Sequence, residues 1–94
     1  MKKARQRSFV YVLGCLGPQG PRTYVGWTND IARRLKAHNA GKGARSTRGR
    51  TWRLLYAEYF DDKVEAMRRE YFLKRNRRLR KKLSHGLSFF SPAS

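Results

Sequence analysis

Five side chains stand out because packing alone does not account for their type and position. Arg34 and His38 lie four residues apart in NDIARRLKAHN, so a helix would turn both to one side, where Ile31 and Leu35 form its apolar stripe. Together they make a weak positive site, although an arginine can snorkel and a histidine can simply pack. Glu70 is one of only 6 acidic residues, and helical periodicity places it in the arc of Ala66, Met67 and Leu73. A carboxylate there is costly unless it is ion-paired, ligated or left at the edge of a cavity. Tyr11 and Tyr24 occupy comparable places in two extended segments, each able to project a hydroxyl from an apolar ring, and Gly26 lies just beyond Tyr24, where missing bulk permits close approach.

A sixth feature is the loop GKGARSTRGR, which brings Lys42, Arg45, Arg48 and Arg50 together with the hydroxyls of Ser46 and Thr47. It lacks the full spacing of a nucleotide-triphosphate loop. Point charges interleaved with hydroxyls suit a phosphate backbone, positioned without reading bases. Trp27, Trp52 and the Phe89 and Phe90 pair could stack on bases, but packing at the core or its rim accounts better for each.

Composition points the same way. Lys+Arg 23 against Asp+Glu 6 in 94 residues gives a net charge of +17, spread along the chain from Lys2 to Lys82. Such a charge repels itself unless an anion neutralises it, and nucleic acid is the commonest extended polyanion in a cell. No window approaches the roughly 20 apolar residues of a membrane span, and MKKARQRSFVYVLGC offers no convincing small-residue cleavage site. A cytoplasmic, nucleoid-associated location is therefore expected, with no membrane partner. The single Cys15 excludes an internal disulfide, and His38 and His85 are the only histidines, so no structural zinc site is expected.

The elements that must position these residues can be read in outline. SFVYVLGC predicts a strand with Phe9, Tyr11 and Leu13 on one side and Val10 and Val12 on the other. LGPQGPR is a turn, and RTYVGW resumes extended structure, so the two form an antiparallel hairpin. Thr28 or Asn29 caps a helix over about Asn29 to Asn39, with Asp30 in its first turn. TWRLLYAEYF predicts a third strand with Trp52, Leu54 and Tyr56 opposite Arg53, Leu55 and Ala57. Bulk on both faces marks it as the central or most covered strand. Asp62 and Glu65 open a second helix from about Lys63 toward Arg75. RNRRLRKKL continues that helix or forms a separate basic one docked by Leu79 and Leu83. The expected fold is α+β, a small three-stranded antiparallel sheet flanked by helices in the order β-β-α-β-α with a basic C-terminal helical extension. Residues 8–83 would form the domain, between a basic segment at 1–7 and a tail at 84–94.

VYV at Val10 to Val12, YVG at Tyr24 to Gly26, then ARRLKAHN and EAMRREY, occur in the order that marks the GIY-YIG nuclease superfamily. Over about Phe9 to Arg75 the chain resembles its short bacterial single-domain members of the UPF0213 type and the nuclease domain of structure-specific endonucleases. The resemblance implies hydrolysis of DNA phosphodiesters with Mg²⁺ or Mn²⁺ held by one glutamate, on single-stranded or branched DNA. It implies that Tyr11, Tyr24, Arg34, His38 and Glu70 are catalytic and that Glu70 is the metal ligand. Gly26, Lys42, Arg45, Ser46, Thr47, Arg48 and Arg50 would contact nucleic acid, and no small-molecule cofactor is expected. Arginine and metal charge would favour phenolate, making Tyr11 or Tyr24 the preferred base, with His38 as the alternative. Val10 and Val12 replace the usual glycine and isoleucine, no asparagine downstream of the glutamate is assignable, and with one cysteine the zinc-binding partner domain of the structure-specific enzymes is not expected. A noncatalytic nucleic-acid binder on the same fold is the alternative.

Overall fold

A computed structural model describes residues 7–17 and 20–85. The expected order holds: β1 (Ser8–Gly17), β2 (Gly20–Thr28), α1 (Ile31–Asn39), β3 (Arg53–Phe60), α2 (Lys63–Arg75) and α3 (Arg77–His85), with a 3-10 turn at Arg45–Thr47. The sheet is antiparallel throughout in the order β2-β1-β3. The central strand is thus β1, and β3 lies at an edge, against the expectation drawn from its bulky faces. A register shift between Val12 and Leu13 explains the difference. Val12 pairs with Tyr56 and Leu13 with Leu54, so Leu55 is the extra residue of a bulge. Leu55 and Tyr56 then pack against the same cluster, and Leu54 is left 42% exposed. The bulk in TWRLLYAEYF reflects a bent edge strand rather than two covered faces.

β1 is buried without a break from Val10 to Cys15, and its alternation sorts the molecule into two layers. Val10 and Val12, with Val25 of β2, pack against Ala66 and Leu73 of α2, and Leu79 and Leu83 of α3 close over them. Tyr11, Leu13 and Cys15 face the other way and meet Trp52, Tyr24 and Leu35 of α1. Each fully buried aliphatic side chain contributes about 1.5–3 kcal/mol to holding this arrangement. The layer on the α1 side is the one that carries hydroxyl and imidazole groups.

Caps fix where the helices start. Asp30 itself, rather than Thr28 or Asn29, is the cap of α1. Its backbone is extended and its carboxylate accepts from the Arg33 amide at 3.1 Å, while Thr28 Oγ1 accepts from the Asp30 amide at 3.2 Å. Asp62 caps α2 through the Val64 amide at 2.9 Å. Asn76 closes α2 with its amide on the Leu73 carbonyl and opens α3 by accepting from the Leu79 amide at 3.0 Å, so the basic extension is a separate helix. The basic residues at 1–6, Pro18 and Gln19 of the expected turn, and Phe89 and Phe90 lie outside the described residues. Among the described residues, no helix is long and apolar enough to cross a membrane.

Candidate active site

The buried end of α1 holds a hydrogen-bonded line whose proton positions follow from simple counting. Thr47 Oγ1 donates its single proton to the Ala44 carbonyl at 2.8 Å. Its 2.8 Å contact with His38 Nδ1 therefore has Nδ1 as donor. In neutral His38 this leaves Nε2 as an acceptor, and Nε2 lies 2.9 Å from the Tyr11 hydroxyl, which donates to it. Tyr11, His38 and Thr47 are 1%, 0% and 0% exposed. One tautomer is thus selected by a threonine that has no other proton to give.

Arg34, one turn before His38 on α1, interacts with both phenols, Tyr11 and Tyr24, which favour its charged form. The Tyr24 ring packs on His38 with centroids 4.9 Å apart and also meets Tyr11 and Trp52. Burial pushes the Tyr11 phenol above its ordinary value of 10. The interaction with Arg34 pulls the other way, and the charges of Tyr24 and Glu70 add to the rise. The guanidinium favours phenolate, as expected, but without a metal, desolvation outweighs it. His38 is held below 6.5, first by burial and then by the Arg34 charge.

Glu70 sits at the border of the buried face of α2, between Ala66 and Leu73 on one side and solvent on the other. Its side chain is 19% exposed and meets Lys74 in an i,i+4 pair at 3.8 Å. That is longer than a hydrogen-bonded ion pair. The influence of Glu70 on Tyr11 links the carboxylate electrostatically to the phenol. No group of three or more His, Cys, Asp or Glu poised for a metal occurs among the described residues.

The basic loop divides in two. Lys42, Arg45, Ser46 and Arg48 reach the surface, and Arg48 and Arg50 line a cleft of about 390 Å³ with Leu16, Gly17, Gly49 and Thr51. Thr47 does not join them. The 3-10 turn points it inward, where it holds His38 instead of reaching a phosphate. Gly26 is also buried. A Cβ there would come 2.5 Å from the Tyr11 hydroxyl, so the glycine makes room for the phenol. Trp52 is buried, with Nε1 donating to the Thr47 carbonyl at 2.8 Å, and Trp27 lies under the Lys63 ammonium, so both pack rather than stack.

Two contributors escape a reading by residue type. A Cβ on Gly43 would overlap the His38 ring, so the loop must pass the imidazole without a side chain. Asn39 clamps the start of β3, accepting from the Trp52 amide at 2.6 Å and donating to its carbonyl at 3.2 Å. The glycines and asparagine of HNAGKG signal only a helix end.

Comparison with known proteins gives one consistent match. The family described as the GIY-YIG catalytic domain matches residues 7–83. A UPF0213 protein of Clostridium perfringens is 46% identical over 69 residues, 72% of this chain and 71% of that one. One of Halobacterium salinarum is 49% identical over 73 residues, 77% and 91% of the two chains. The solution structure of a UPF0213 protein from Bacillus halodurans is 44% identical, with a TM-score of 0.48, covering 82% of this chain and 81% of that one. The family match and the excess of Lys and Arg are consistent with interaction with nucleic acid.

Proposed function

Because this chain belongs to the GIY-YIG family, and within it to the UPF0213 group, we propose that it binds DNA and hydrolyses its phosphodiester bonds. The reading takes single-stranded or branched DNA as substrate and Mg²⁺ or Mn²⁺, held by Glu70, as cofactor. The observation that carries it is the line from Arg34 through Tyr11 to His38, a phenol hydrogen-bonded to a neutral imidazole and influenced by a neighbouring cation. Glu70 fits such an ion because its carboxylate is partly open and only loosely paired, and magnesium-type ions accept one carboxylate with water and phosphate oxygens completing the shell. When bound, the ion supplies Lewis acidity and neutralises charge at the phosphate.

The chain's own groups then have separable tasks. The guanidinium of Arg34 presents a planar donor fork to a nonbridging phosphate oxygen, and its hold strengthens as negative charge develops there. Tyr11 receives a proton from the attacking water while its own proton passes to His38 Nε2. A P–O bond forms to the water oxygen as the bond to the 3′ oxygen breaks, and that oxygen takes its proton from solvent. His38 can accept because its pKa is depressed, and Thr47 keeps Nε2 as the free nitrogen. Tyr24, half-buried on the same guanidinium, orients the water or the phosphate. The exposed loop cations position the backbone.

A second reading, binding without hydrolysis, is favoured by the burial and raised pKa of Tyr11, which keep the phenol protonated and shielded at rest. A panel of labelled single-stranded, duplex and branched DNA, incubated with Mg²⁺ or Mn²⁺, separates the two. Product on the single-stranded or branched forms supports hydrolysis. Tight binding with no product on any form in either metal would leave the binding role alone.

A further inference from the structure

Away from the Tyr11 layer, α3 presents Arg77, Arg80, Lys81 and Ser84, an i, i+3, i+4, i+7 stripe, to Pro21 and Thr23 of β2. Between them lies a cleft of about 350 Å³. Arg80 is fixed at its wall, Nη1 donating to Thr23 Oγ1 at 3.3 Å and Nη2 to the Lys74 carbonyl at 2.9 Å. Its Nε is buried without a hydrogen-bond partner among the described residues. None of the six acidic residues lines the cleft: Asp30 and Asp62 cap helices, Asp61 binds Tyr59, Glu58 binds Arg69, Glu70 meets Lys74, and Glu65 lies in the first turn of α2. Three cations and two hydroxyl side chains therefore surround a cleft that no carboxylate side chain among the described residues lines.

We propose that this cleft binds a backbone phosphate of the same nucleic-acid strand that reaches Glu70, a few nucleotides from the bond at that residue. The proposal rests on the DNA-binding reading above and adds a second point of attachment to it. One connection ties the cleft to the candidate active site: Lys74 carries its ammonium to Glu70 while its carbonyl receives Arg80. Glu70 and Lys74 are one helical turn apart, about 6 Å along the axis. A fixed guanidinium, exposed flanking cations and the Thr23 hydroxyl are a donor set that phosphodiester oxygens accept, and they carry no base information.

The test is oligothymidylate binding by the full chain in chelator, so that affinity is read without cleavage. Arg77→Ala/Lys81→Ala removes the flanking cations and leaves Arg80 in place. Arg78→Ala/Lys82→Ala removes the same charge from exposed positions of α3 that do not line the cleft. Thermal melting confirms that both variants fold. The first variant should bind at least fivefold more weakly than the second, with a log–log salt slope shallower by about 0.7 for each phosphate that the cleft no longer neutralises. Equal weakening in the two variants would reduce the cleft to general surface charge and overturn the proposal while leaving the DNA-binding reading intact. Thermal stabilisation by inorganic phosphate that only the first variant lacks, with unchanged oligonucleotide affinity, would assign the cleft to a free anion and likewise overturn it. Absence of binding by the unaltered chain would remove both readings.

Discussion

His38 sets the pH at which the proposed proton relay can run. It must be neutral to accept from Tyr11, and burial and Arg34 hold its pKa below 6.5. The acid limb of a kcat/KM profile should therefore fall below pH 6.5, and His38→Gln should flatten it. Folding shares this dependence. As pH falls, the unfolded chain takes up the proton before the folded one does, so the contribution is complete above pH 6.5 and is lost as pH falls through the lower folded value. Thr47→Val leaves Nδ1–H without its acceptor at a buried position, which should cost about 1–3 kcal/mol in denaturant unfolding and roughly tenfold or more in cleavage. That Arg34 and His38 face one way was legible from their spacing. The inward turn of Thr47 was not, because a hydroxyl in a basic loop looks the same whether it meets a phosphate or an imidazole, and only the 3-10 turn decides.

At the level of elements, Asn39 joins the end of α1 to the start of β3 and so determines how the histidine meets the sheet. Asn39→Ala strands the Trp52 amide and carbonyl, and should lower stability by about 1–3 kcal/mol, read as a lower denaturation midpoint. Asp30→Ala removes a cap further from the relay and should cost about 1 kcal/mol. The succession of strands and helices was legible because turn residues and two distinct periodicities punctuate the chain. The place of β3 was not: a bulge shifts alternation by one residue, so Leu55 and Tyr56 share a face that simple counting assigns to opposite sides. Likewise Asn76 sits inside a continuous basic pattern, and only its double capping role separates α2 from α3.

For the whole molecule, a charge of +17 guarantees attraction to any polyanion, so affinity by itself says little about hydrolysis. Arg48→Ala should weaken DNA binding for every sequence alike and make its salt dependence shallower, as expected for a group that meets the backbone. The proposed hydrolysis would depend instead on one acid in a strongly basic protein acting with the Arg34, Tyr11 and His38 line. The most direct measurement is cleavage of labelled single-stranded or branched DNA in Mg²⁺ by the unaltered chain and by Glu70→Ala, at concentrations where both bind the substrate fully. Product from the first and none above background from the second, at equal occupancy, is the predicted result. Equal product from both, or none from the unaltered chain on either DNA, would contradict a hydrolytic role for Glu70.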